Sequence, residues 1–286
     1  MDLLRVIVLA VVQGLTEFLP ISSDGHLVVT DALFEAATGR KAENLLALEI
    51  VLHAGTLAAV LVAFRRQIAR LLTADRRVIG LIIAGSVPAA IFGLYMKKQH
   101  RELLENPLLA GLGLIATGLV LLWGARRAKA MTGGSEQAAS DFGTATAAKS
   151  YTELDYGGAL VVGTFQAAAI LPGVSRSGLT ISSGLRLANL RPVDAADFSF
   201  LLSIPAVGGA VLLQGLEFAR GGATLAMPVG ELAFGAVVSF VVGLVALRWL
   251  LAWLQRGRLH YFAGWCLPLG AAVTIWQLVT TGAIVP

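Results

Sequence analysis

The sequence is poor in charge, sulfur and aromatic side chains. Only 14% of its 286 residues are Asp, Glu, Lys or Arg, while 56% are hydrophobic and the mean hydropathy is +0.76. So little charge excludes an ordinary soluble surface. Several runs reach the roughly 20 apolar residues needed to cross a bilayer, so the class is a polytopic membrane protein. A single cysteine, Cys266, excludes an internal disulfide and leaves no cysteine-based zinc cluster. It reads as a packing residue in the last span. The net charge of +4 comes from short basic loops. It signals orientation in the membrane, and no nucleic-acid partner is expected. The five tryptophans fit interfacial belts or packing and receive no functional assignment. No leader with a small-residue cleavage site is apparent, so the N-terminal apolar stretch is expected to belong to the mature protein.

Against that background one stretch is out of place. Gln13 to Leu27 reads Q-G-L-T-E-F-L-P-I-S-S-D-G-H-L and holds Glu17, Ser22, Ser23, Asp24 and His26, with Pro20 and Gly25 between them. Each ionisable group at bilayer depth costs roughly 2.5–3.5 kcal/mol on insertion scales. Pro20 and Gly25 break the helix where the polar groups begin. Broken backbone is tolerated there only inside protein or beside a water-filled cavity. The stretch therefore predicts a site.

The rest of the chain repeats one plan. In the first half, residues 2–20 break at Pro20, a short helix runs from Ser22 to Ala37, and spans follow at 44–64, 78–96 and 107–124. Arg65, Arg66, Arg70, Arg76 and Arg77 form the densest basic loop and mark the cytoplasmic side. Arg126, Arg127 and Lys129 lie on the same side, as do Arg256 and Arg258. The loop 97–106 mixes signs, with Lys97, Lys98, Arg101, Glu102 and Glu105. Residues 130–150 are small and polar and read as a mobile cytoplasmic linker. In the second half, residues 157–172 break at Pro172-Gly173, a short helix runs to Leu190, and spans follow near 195–215, 229–251 and 261–282. A shift of 152 superposes the halves: Pro20 falls on Pro172, Ser23 on Ser175, Asp24 on Arg176 and Leu27 on Leu179. Each half has one re-entrant hairpin and three spans. An odd number of crossings inverts the second half, so the broken helices should meet near the midplane.

The second break reads P-G-V-S-R-S-G-L-T. Gly173 and Gly178 permit a tight backbone path. Ser175 and Ser177 stand at the start of a helix, where free backbone N–H groups bind anions. Arg176 adds a permanent, planar charge matched to phosphate oxygens. The competing reading is a helix cap with a structurally paired arginine. The first break supplies the complement. His26 suits a general base, general acid or nucleophile, and Ser22 or Ser23 a nucleophile, a phosphate ligand or a cap. Glu17 suits a cation ligand or an orienting carboxylate. Gln13 lies one turn before Glu17 on the same face. Glu49 and His53, also one turn apart, face the same cavity, mark a helix end or make an interhelical bond. Asp197 is expected to cap the span beginning near it, and Arg186 and Arg191 to anchor at the interface.

These two motifs, in this order, with L-H-A-G-T-L-A-A-V-L and D-F-S-F-L-L-S-I-P between and after them, resemble the bacterial undecaprenyl-diphosphate phosphatase family associated with bacitracin resistance. The resemblance covers essentially the whole chain. It implies an inner-membrane enzyme that removes the terminal phosphate from undecaprenyl diphosphate, regenerating the carrier lipid for peptidoglycan synthesis. It also implies an interlocked inverted repeat with two re-entrant hairpins. The family's acidic motif falls on Gln13 and Glu17, its serine-glycine-histidine turn on Ser22, Ser23, Gly25 and His26, and its phosphate signature on Ser175, Arg176, Ser177 and Thr180. One position departs. The residue before Gly25 is usually small and neutral or a hydroxyl, and here it is Asp24. A carboxylate repels a diphosphate unless a cation or Arg176 intervenes.

The expectations are therefore an all-α polytopic membrane fold with about six full transmembrane helices, in one membrane domain: repeat 1 over about 1–125, a linker over about 126–155 and repeat 2 over about 156–286. Glu17, Ser22, Ser23, His26 and Arg176 are the candidate catalytic residues. Gln13, Glu49, Gly173, Ser175, Ser177 and Thr180 are the candidate substrate-binding residues. Glu17 and Asp24 are candidate ligands of a divalent cation, Mg²⁺ or Ca²⁺. The expected partners are a polyprenyl diphosphate lipid, the bilayer and a second copy in a homodimer. The rival reading is a lipid transporter or flippase using the same inverted-repeat cleft.

Overall fold

The computed structural model describes residues 3–39, 45–104, 106–132, 148–220 and 227–280. Among these residues the chain is helical, and its one β-bridge is the isolated pairing of Lys149 with Leu190. The helices in chain order are α1 (Leu3–Thr16), α2 (Ser23–Thr38), α3 (Leu45–Ala63), α4 (Arg65–Leu72), α5 (Arg76–Gln99), α6 (Arg101–Leu104) and α7 (Pro107–Thr132). After a 3-10 turn (Tyr151–Glu153) come α8 (Tyr156–Ala168), α9 (Arg176–Arg186), α10 (Pro192–Arg220), α11 (Val229–Gln255) and α12 (His260–Thr280). Six of them, α3, α5, α7, α10, α11 and α12, are long and apolar enough to cross a membrane. The architecture is all-α and polytopic.

Two pairs are different. Helices α1, α2, α8 and α9 have 14, 16, 13 and 11 residues. At 1.5 Å per residue they reach about 16–24 Å, short of the roughly 30 Å hydrocarbon core. α1 ends at Thr16 and α8 at Ala168, each one turn ahead of its proline, Pro20 or Pro172. Proline lacks the N–H that would close the last turn, and its ring disfavours helix in the residue before it. The unwinding therefore starts at Glu17, earlier than the proline itself, and places that carboxylate on irregular backbone.

The halves interlock. α12 packs on α7, α11 on α3 and α1, and α5 on α8. Gly111 lies against Thr274 and Gly118 against Leu267, so α7 and α12 run antiparallel. Gly14 of α1 lies against Ser239 and Val242 of α11, while Gly235 of α11 meets Val6, so these two run parallel. Gly80 meets Tyr156 and Gly93 meets Ile170, so α5 and α8 also run parallel. Between the halves sits a buried aromatic cluster. Phe200 meets Phe18 edge-on at 5.8 Å and Phe64 at 5.7 Å between ring centroids. Such pairs add about 0.5–1.5 kcal/mol each beyond area burial. They floor the first break, because Phe18 follows Glu17 directly.

The basic end is more ordered than the sequence implied. The Arg65–Arg77 stretch contains helix α4, Arg70 pairs with Asp75 at 2.9 Å, and Arg77 donates to the Thr152 carbonyl at 3.3 Å. α7 stays helical to Thr132, so residues 126–132 of the expected linker are helix. Residues 133–147 and Glu105 lie outside the described residues. The linker's last residues are tied down: Ser150 Oγ and Tyr151 N donate to Asp194 Oδ1 at 2.8 and 3.0 Å. α10 begins at Pro192, earlier than expected, so Asp197 falls in its second turn and Asp194 makes the tethering bonds instead. The two arginines read as interfacial anchors have protein partners: Arg186 lies over the Trp123 ring at 5.1 Å, and Arg191 bonds Asp194 at 2.7 Å.

Candidate active site

The first break is organised by Glu17. Its Oε2 accepts from Ser23 Oγ at 2.8 Å and from Gln13 Nε2 at 3.1 Å. Gln13 reaches it from the last turns of α1, and Ser23 from the first residue of α2. The second break is organised by the start of α9. Ser175 caps this helix, its Oγ accepting from Gly178 N at 3.2 Å. Ser175 N donates to Thr117 Oγ1 at 2.9 Å, and Thr117 donates onward to the Gly173 carbonyl at 3.2 Å. Gly173 has φ +75°, and a Cβ there would run into the Ala110 carbonyl oxygen. Only glycine fits both demands.

Arg176 joins the breaks. Its Nη2 donates to Glu17 Oε1 at 2.7 Å, with the carboxylate 7% and the guanidinium 17% exposed. This bond occupies one edge of a five-donor fork. Both breaks face one cleft of about 220 Å³. Its polar wall is Thr16, Glu17, Ser22, Ser23, Asp24, Ser175, Arg176 and His53 of α3, and its apolar wall includes Ala169, Ile170, Ala206, Val207 and Ala210. His53 Nε2 stands 3.8 Å from Glu17 Oε2 and 3.9 Å from Asp24 Oδ1, with Nδ1 held 2.8 Å from the Glu49 carbonyl. The Asp24 side chain is 72% exposed and sits at the open side. The arrangement offers a hydroxyl bonded to a carboxylate, faced by a cation and bordered by apolar side chains. That combination suits attack on an anionic group carried by a lipid.

The sequence comparisons agree with that reading. Residues 6–272 match the family model described as bacitracin resistance protein BacA. The chain belongs to this family. It is 45% identical over 278 residues to the undecaprenyl-diphosphatase of Rhodopirellula baltica, covering 97% of this chain and 99% of that protein. It is 40% identical over 302 residues to the undecaprenyl-diphosphatase of Desulfatibacillum aliphaticivorans, covering 98% and 100%. With the undecaprenyl-diphosphatase of Carboxydothermus hydrogenoformans the figures are 39% over 282 residues, 97% and 98%.

In this BacA-family protein the candidate residues divide by position. Glu17, Ser22, Ser23, Asp24, Ser175 and Arg176 line the cleft, and Gln13 stands behind Glu17. Ser177, Thr180, Gly173, Glu49 and His26 do not line it. Thr180 Oγ1 bonds the Arg176 carbonyl at 2.8 Å and Ser199 Oγ at 2.5 Å, and Ser177 Oγ bonds the Leu19 carbonyl at 3.4 Å. These bonds hold α9 in place. Arg176 pairs with Glu17, whereas the sequence offered Asp24 as its partner. Ser22 occupies the N-cap position of α2 without a side-chain cap bond, so its hydroxyl does not serve the helix. Sequence reasoning gave no role to Ser199 of the D-F-S-F-L-L-S-I-P stretch and missed Thr117, which sits in an otherwise apolar span. A buried hydroxyl in such a span carries no distinctive pattern.

A divalent cation requires oxygens with spare lone pairs. Glu17 already accepts from Arg176, Ser23 and Gln13, so it is poorly suited. Among the described residues no three His, Cys, Asp or Glu side chains form a metal-holding group. Mg²⁺ usually takes one or two carboxylates and completes its shell with water and substrate phosphates. Of the two candidates, Asp24 fits that pattern.

Proposed function

We propose that this protein is an integral-membrane phosphatase that hydrolyses undecaprenyl diphosphate to undecaprenyl phosphate and phosphate, returning the carrier lipid to peptidoglycan synthesis. The observation that carries the chemistry is the Ser23–Glu17–Arg176 chain of contacts at 2.8 and 2.7 Å. The names of the full-length relatives support the substrate. They give no support to the transporter reading.

Glu17 draws the Ser23 proton as the oxygen attacks the terminal phosphorus. Undecaprenyl phosphate leaves, and water then frees phosphate from the serine. Arg176 and the start of α9, capped by Ser175, hold the phosphate oxygens and stabilise the charge that builds on them. The first prenyl units lie along Ile170, Ala206 and Val207. Asp24 with the diphosphate oxygens would hold a divalent cation, which supplies charge neutralisation there.

The two short helix pairs act as re-entrant hairpins of an inverted repeat. The antiparallel α7–α12 pair supports inversion, since these helices are counterparts under the 152-residue shift. The cleft opens to the periplasm across the bacterial inner membrane. Val207 lies about 22 Å along α10 from Pro192, which sits at the basic, cytoplasmic end.

The test is phosphate release from undecaprenyl diphosphate by purified protein. Ser23→Ala and Glu17→Gln should each lower kcat by at least about 100-fold. An inactive wild type, or a fully active Ser23→Ala, overturns the reading.

A further inference from the structure

His26 has the composition of a proton-transfer residue but not the placement of one. It lies in the first turn of α2 and is absent from the cleft wall. Its Nδ1 is 2.7 Å from the Ser22 carbonyl oxygen, which can only accept, so Nδ1 carries hydrogen. Its Nε2 is 2.8 Å from Trp265 Nε1, an indole N–H that can only donate, so Nε2 bears the lone pair. The two rings run nearly parallel, 17° apart, with centroids separated by 6.1 Å. Both nitrogens are thus engaged and the tautomer is set by its neighbours.

What this imidazole holds is unusual. Ser22 has φ 71° and ψ 104°, one of two positive-φ residues other than glycine among the described residues. Such a conformation persists only where the surroundings impose it. The His26 side chain grips the Ser22 carbonyl, and Trp265 of α12 grips His26. The next residue of α12, Cys266, is fully buried with Sγ 3.7 Å from the Pro20 carbonyl. Two consecutive residues of the last span therefore hold the 20–23 turn at both ends. The Ser23 hydroxyl that reaches Glu17 issues from this turn.

We propose that His26 and Trp265 are positioning residues: a clamp from α12 that imposes the strained Ser22 backbone and so aims the Ser23 hydroxyl at Glu17, with no proton passing through His26. The clamp rests on the phosphatase reading for its consequence in turnover, but its geometry is independent of it. A serine turn misplaced by an ångström loses about 100-fold in rate, and the loss falls on kcat because Arg176 is untouched.

Three variants of the full-length protein separate the roles. Asparagine places an N–H where Nδ1 stands, cannot act as an acid or base, and forfeits the Trp265 bond to Nε2, so His26→Asn should lose about 5–10-fold in kcat, as Trp265→Phe does. His26→Ala should lose about 100-fold in kcat with KM unchanged. Trp265→Phe keeps the ring and deletes the N–H, and should lose about 5–10-fold in kcat alone. A folded His26→Asn as inactive as His26→Ala overturns the proposal, as does an unimpaired Trp265→Phe. Nitrogen-15 spectra of the wild-type imidazoles provide the second measurement, with His26 assigned by its loss in His26→Ala. They should show Nδ1 protonated and Nε2 bare; an imidazolium or the opposite tautomer overturns the clamp. If the wild type releases no phosphate, the phosphatase reading fails while the spectra still judge the clamp.

Discussion

Arg176 and Glu17 stand 159 positions apart in the chain and meet at 2.7 Å inside the membrane protein. Each comes from a break in an otherwise apolar helix pair, and each would be costly alone. Removing one partner of a buried ion pair leaves an uncompensated charge worth about 3–5 kcal/mol. The pair therefore ties the fold of the two halves to the chemistry of the cleft.

Arg176→Lys tests the cation without stripping Glu17 of a counter-charge. Lysine keeps the charge but loses the planar fork. Phosphate release should fall by about 100–1,000-fold, the scale for one lost oxyanion donor. Thermal unfolding in detergent should stay close to wild type. Arg176→Ala, by contrast, should lower both activity and melting temperature.

Asp24 is the carboxylate with oxygens open to the cleft. Asp24→Ser should raise the Mg²⁺ or Ca²⁺ concentration for half-maximal phosphate release by about 10-fold, the loss of one carboxylate ligand. With cations chelated, the same variant should have a lower KM than wild type, because a like charge has been removed from beside the diphosphate. Identical cation titrations for both proteins would remove Asp24 from the cation site.

Thr117 does not line the cleft. It accepts from Ser175 N and donates to the Gly173 carbonyl, and it is fully buried. Thr117→Val leaves the Ser175 N–H without a partner, a loss of about 1–3 kcal/mol. The measurable results are a lower melting temperature and a KM raised by about 10-fold, since 1.4 kcal/mol is a factor of ten. A KM equal to wild type would show that the phosphate-binding turn holds its shape without this bond.

Much of this protein is legible in its sequence, and for a local reason. A helix in lipid must satisfy its own backbone, so span lengths follow from apolar runs and breaks follow from proline. That is why six spans and two interrupted pairs can be read directly, and why Glu17, Ser23 and Arg176 declare themselves as polar groups where polar groups are expensive. Which polar groups share a cavity is a different matter, set by how α3, α7 and α12 pack around the two breaks. His26 and His53 look alike in sequence, each a histidine near an acidic residue. Packing turns His53 into the cleft and gives both nitrogens of His26 to Ser22 and Trp265. The order of residues along the chain determined where charge would be buried. Only the tertiary structure decided which charges meet, because a hydrogen bond depends on contacts within about 3 Å between segments the sequence leaves far apart.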